Sequence, residues 1–117
     1  MDISQVQQYL LPVIVVGFFV WRFLRFRGVR KQLPKLLLQG AVVVDVRGRG
    51  EFSGGAREGS LNIPLDELER GADKLDRDKP VVLCCASGTR SGMAVAVLKR
   101  KGFQNVVNAG PWRNTVV

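Results

Sequence analysis

Residues 81–103 read VVLCCASGTRSGMAVAVLKRKGF. Val81–Cys85 is a short, continuous apolar run after Pro80, the pattern of a strand buried on both faces. From Ser91 to Lys101 the apolar residues Met93, Val95, Ala96, Val97 and Leu98 predict a helix, closed by Gly102. Cys85 therefore stands at the C-terminal end of a strand and just before a helix, the edge where α/β sheets carry their sites. If residues 86–90 curl around it, their N–H groups converge into an anion-holding nest. The helix start adds its positive end, Gly88 permits a sharp turn, and Arg90 adds a fixed charge. Each of these favours the thiolate, the reactive form of cysteine. Cys84 faces the other side of the strand and reads as a small packed hydrophobe. Arg90 has two readings, a loop-bracing ion pair or a direct contact to substrate.

Outward from this stretch the chain alternates. Upstream, AVVVDV (41–46) is a second buried strand, preceded by a short helix over Arg30–Leu38 that Gly40 closes. Residues 47–60 are rich in Gly and charge and predict a loop with one helical turn. Leu61–Pro64 fits an edge strand, Leu65–Leu75 a charged helix, and Val106–Val107 a last strand. Strands alternating with helices predict an α/β fold, a central mostly parallel sheet flanked by helices.

The N-terminus has a different character. Tyr9–Trp21, YLLPVIVVGFFVW, carries no charge, and the apolar stretch extends over residues 6–26 with Arg22 and Arg25 near its end. A membrane-spanning helix needs about 20 mostly apolar residues. The long arginine side chains can bring their heads to the lipid phosphates, and Tyr9 and Trp21 suit the interface. A cleaved signal peptide would carry its positive charge before the apolar run, and here the order is reversed. A helix lying on the bilayer needs a polar face, which Leu10–Val20 lacks. A buried core helix would have to cover Phe18, Phe19 and Trp21 with a small domain. The reading is an N-terminal transmembrane helix with its basic flank over residues 1–29, and a folded domain over 30–117. Positive flanks stay inside. The chain is thus expected in the inner (plasma) membrane as a single-pass protein with its domain facing the cytoplasm.

Composition narrows the chemistry. The 117 residues contain no histidine, which removes Ser-His-Asp triads, Cys-His dyads and imidazole metal ligands from within the chain. Two adjacent cysteines make neither a disulfide framework nor a four-cysteine metal site, and free thiols suit a reducing compartment. The net charge of +8 is unevenly placed: residues 1–40 hold six basic residues against Asp2 alone. Residues 41–117 hold twelve basic and nine acidic residues, a near balance that argues against a nucleic-acid surface.

Four stretches, VVVDVRGRGEF (42–52), GAREGSLNIPL (55–65), CASGTRSGMAVAVLKRKGF (85–103) and VVNAGPW (106–112), resemble the rhodanese (sulfurtransferase) family in its own order. The resemblance covers essentially the whole folded part and implies a small rhodanese-like α/β domain. It implies that Cys85 is the nucleophile that accepts a sulfane sulfur as a persulfide. Ala86, Ser87, Gly88, Thr89 and Arg90 would form the substrate-binding loop. It assigns Asp45 and Arg47 to the family's Asp-x-Arg segment, whose aspartate supports that loop, and Asn62 and Pro64 to the stretch closing that side. The chain departs from the family pattern at Ala56, where a histidine is common, and at Ala109-Gly110-Pro111, where a Gly-Gly pair is common.

The expected chemistry is double displacement, with thiosulfate or a persulfide as donor, a thiol as acceptor, and no metal or organic cofactor. Partners are thus these small molecules and the membrane, contacted through residues 6–26. Two rivals remain. A cysteine phosphatase or arsenate reductase also pairs a cysteine with an arginine, but usually across five intervening residues rather than the four here. A non-catalytic module of the same fold would recruit a partner to the membrane.

Overall fold

The computed structural model describes residues 2–116. Four parallel strands, β1 (Val42–Asp45), β2 (Leu61–Asn62), β3 (Val81–Cys85) and β4 (Val106–Pro111), form one sheet in the order β2-β1-β3-β4. The helices are α1 (Ile3–Leu38), α2 (Arg49–Ser53), α3 (Leu68–Gly71) and α4 (Thr89–Arg100). The expected charged helix over Leu65–Leu75 is broken: 3-10 turns at Leu65–Glu67 and Ala72–Lys74 flank α3. The last strand runs beyond the expected Val106–Val107 as far as Pro111, and α4 starts two residues before Ser91.

Alternation along the strands divides the core. Val44, Val46, Leu83 and Cys85 face one side and pack with Leu68, Ala72, Ala94, Leu98 and Phe103 beneath α3 and α4. Val43, Val82, Cys84 and Ala109 face the other, where Leu33 and Leu36 of α1 cover them. The two cysteines thus belong to different layers.

The largest departure from expectation lies in α1. No separate helix covers Arg30–Leu38; a single 36-residue helix runs through Gly28 and Pro34 to Leu38. The boundary expected between residues 29 and 30 therefore falls inside a continuous helix. Val29, Leu33, Leu36 and Leu37 recur at helical spacing, and burying that stripe on the sheet gives the last turns their stability. The upstream portion is long and apolar enough to cross a membrane, and the apolar window is not buried within the protein. Large apolar residues such as Leu11, Ile14, Phe19 and Trp21 stand exposed along it.

Candidate active site

Strand β3 ends at Cys85, and Gly88, in a left-handed conformation (φ +100°), turns the chain directly into α4. This turn brings donors back onto the sulfur. The Gly88 N–H donates to Cys85 Sγ at 2.9 Å and the Ser91 N–H reaches it at 3.4 Å. The Ser91 hydroxyl lies 3.3 Å from the sulfur, and the whole Cys85 residue is buried. Burial pushes the Cys85 thiol up, but hydrogen bonds from the Ser91 hydroxyl and from the N–H groups of Ser91, Gly88 and Ser87 outweigh it. The thiol is held below its ordinary value. Cys84 lacks such donors: burial, reinforced by the nearby Asp45 carboxylate, pushes its thiol up to about 12.

Ser91 and Asn108 belong to this site although neither stood out in the sequence. Leu83 pairs with Asn108, Cys84 pairs with Gly110, and the irregularity between them skips Ala109. Asn108 then accepts from the Ser91 hydroxyl at 2.7 Å and from the Gly110 N–H at 2.9 Å. Its amide donates to the Gly88 carbonyl at 3.2 Å, tying β4 to the loop. The signal in the sequence is the position of Ser91 in the first turn of the helix that follows Cys85.

Arg90 is held by an acid rather than left free. Its guanidinium makes a two-pronged ion pair with Glu51 of α2, at 2.7 and 2.9 Å. Arg90, with the Gly48 N–H second, holds the Glu51 carboxyl down at about 2. This pair ties the start of α4 to α2. Thr89 accepts from the Ser87 hydroxyl at 3.4 Å, and the Ser87 carbonyl accepts from Arg22 of α1. Ala86 completes the turn on the exposed side.

Asp45 and Arg47 sit differently from the expected loop support. Asp45 pairs in register with Cys84, and its buried carboxylate receives Arg47 Nε and Nη2 at 3.0 and 2.8 Å. Among the described residues, the Asp45 carboxylate has no hydrogen bond to residues 86–90. Arg47 reaches the Gly55 carbonyl at 2.7 Å and lies over the Trp112 ring at 5.0 Å. Asn62 donates to the Asp45 and Arg47 carbonyls at 3.0 and 2.9 Å, fixing the end of β1. These residues build the frame around α2, and their link to the loop runs through Glu51. No group of His, Cys, Asp or Glu among the described residues is placed to hold a metal ion.

Known proteins share this fold. The Rhodanese-like domain family matches residues 29–109. The chain is 40% identical over 68 residues to "Uncharacterized protein YqhL" of Bacillus subtilis, covering 58% of this chain. It spans about half the length (54%) of that relative. "Thiosulfate sulfurtransferase GlpE" of Pseudomonas savastanoi pv. phaseolicola is 34% identical over 89 residues, covering 73% of this chain and 84% of that protein. Among solved structures, a rhodanese-related protein from Thermoplasma volcanium superimposes with a TM-score of 0.64 at 33% identity, covering 74% of this chain and 86% of its own. With residues 29–109 matched by the family and the fold shared with a solved rhodanese-related protein, the chain belongs to the rhodanese-like domain family.

Proposed function

We propose that the chain is a sulfurtransferase that carries sulfane sulfur as a persulfide on Cys85. The observation that supports this most directly is the convergence of the Gly88 and Ser91 N–H groups on Cys85 Sγ. In the first step the thiolate attacks the outer sulfur of thiosulfate. The new bond joins that sulfur to Sγ, the bond to the sulfonate sulfur breaks, and sulfite leaves with its electron pair. The terminal sulfur of the persulfide then carries the negative charge, and the loop N–H groups and the positive end of α4 stabilise it. In the second step a thiolate or cyanide takes the terminal sulfur, and Cys85 leaves as thiolate. The loop is tight around one sulfur, which suits this atom better than a tetrahedral oxyanion. A base is not needed, because the donors on Sγ already favour the thiolate.

Residues 6–26 would carry the domain as a single transmembrane segment, with the arginines that follow on the cytoplasmic side. The experiment is thiocyanate production from thiosulfate and cyanide by the full chain in detergent micelles. Turnover in wild type and its loss in Cys85→Ser supports the reading. A folded wild type with no turnover from thiosulfate or from an organic persulfide would instead favour a recruitment module.

A further inference from the structure

The helix marked out by its apolar run also touches the sulfur loop. Phe26 lies against Gly88 within the loop and Gly110 of β4: a Cβ placed on Gly110 would stand 2.6–2.9 Å from three ring carbons, and one on Gly88 would stand 3.2 Å from the ring. Gly88 itself donates to Cys85 Sγ, so a single residue separates the Phe26 ring from the sulfur. Arg22, one turn earlier on the same helix, donates to the Ser87 carbonyl and lies with its guanidinium 5.5 Å from the Phe26 ring centre. Both residues also line an open, apolar and cationic cavity of about 640 Å³ on the α1 side, with Phe19, Phe23, Arg27 and Pro111.

We propose that Phe26 and Arg22 form the outer wall of the sulfur site and determine which sulfur compounds reach Cys85. The inference rests on Cys85 being the reacting thiol. Because Cys85 is wholly buried, a donor must pass between the loop and its neighbours to meet Sγ. On the α1 side the Phe26 ring fills the space left by two residues without side chains. The wall therefore favours a small, anionic donor with one outer sulfur over a bulky organic persulfide. Arg22 supplies a positive charge beside the path.

The test uses the full chain in lipid nanodiscs as wild type, Phe26→Ala, Phe26→Met and Arg22→Gln. Iodoacetamide and an iodoacetamide bearing fluorescein share one electrophile and differ in size; fragment masses separate Cys85 labelling from Cys84. The expected result is that Phe26→Ala speeds Cys85 labelling by the bulky reagent about tenfold, with at most about a twofold gain for the small one. Phe26→Met, which refills the space, returns the ratio toward wild type. Arg22→Gln raises the KM for thiosulfate with little change in kcat. Equal acceleration of both reagents, or no change in the ratio, overturns the proposal. Failure of the sulfur-transfer reading looks different: Cys85 labels with the expected size dependence, yet thiosulfate leaves no sulfur on it.

Discussion

Ser91 donates its hydroxyl proton to Asn108 Oδ1 at 2.7 Å while its oxygen lies 3.3 Å from Cys85 Sγ. A hydroxyl has one proton to give. Toward Asn108, it leaves the sulfur facing an acceptor, an arrangement that suits the thiol. Toward the sulfur, it stabilises the thiolate, and Asn108 keeps the Gly110 N–H as its donor at 2.9 Å. In either orientation of the hydroxyl, Asn108 Oδ1 keeps a donor and stays paired.

Ser91→Ala removes the donor that most favours the thiolate. Loss of a bond to the charged form moves the thiol upward, so alkylation of Cys85 near neutral pH is expected to slow about tenfold. The rate recovers at alkaline pH. A rate-pH profile with iodoacetamide reads this, and an unchanged profile would place the stabilisation in the backbone N–H groups alone.

Cys84 and Cys85 are neighbours with opposite chemistry. With its thiol at about 12, Cys84 remains protonated across the physiological range and packs between Val43, Val82 and Leu33. Cys84→Ala is expected to retain sulfur transfer within about twofold, at a stability cost of about 1 kcal/mol. Thermal unfolding beside thiocyanate assays checks both halves.

The Arg90–Glu51 pair predicts shared behaviour rather than two independent roles. If Arg90 acts by bracing the loop through Glu51, then Arg90→Ala, Glu51→Gln and the double variant lose similar activity, about tenfold each. Direct substrate contact by Arg90 would make Arg90→Ala clearly worse than Glu51→Gln. Glu51 sits below its ordinary carboxyl value of 4.5, at about 2. Its contribution is therefore complete above about 4.5 and is lost as the pH falls toward 2. Loop bracing should thus be constant through neutral pH, and a kcat/KM titration in Glu51→Gln against wild type measures it.

Asp45→Asn leaves the Arg47 guanidinium buried without its carboxylate. Breaking such a pair from one side costs about 3–5 kcal/mol. A large fall in melting temperature is expected, with Cys85 labelling kinetics of the remaining folded fraction altered far less. The reverse pattern would make Asp45 a direct support of the loop.

The parts of the fold that follow from local pattern were readable in the residues. VVLCC announces a covered strand, and its alternation alone assigns Cys84 and Cys85 to opposite layers. What could not be read depends on register between distant segments. Asn108 meets Ser91 because the β3–β4 register sets it opposite Leu83, and Glu51 meets Arg90 across 39 positions. The same limit applies to Asp45: the family pattern brings it near the loop, whereas its position in β1 turns its carboxylate toward Arg47. In α1, Gly28 and Pro34 look like helix punctuation. The packing of Val29, Leu33, Leu36 and Leu37 on the sheet overrides them and carries the apolar segment into the domain as one helix.

The most direct test of the account is the intact mass of the full chain in detergent micelles after incubation with thiosulfate, beside Cys85→Ser and Cys84→Ala. The account predicts a gain of one sulfur atom in wild type and Cys84→Ala, none in Cys85→Ser, and return to the starting mass on adding cyanide. A folded wild type that gains no sulfur, or a gain that persists in Cys85→Ser, would contradict it.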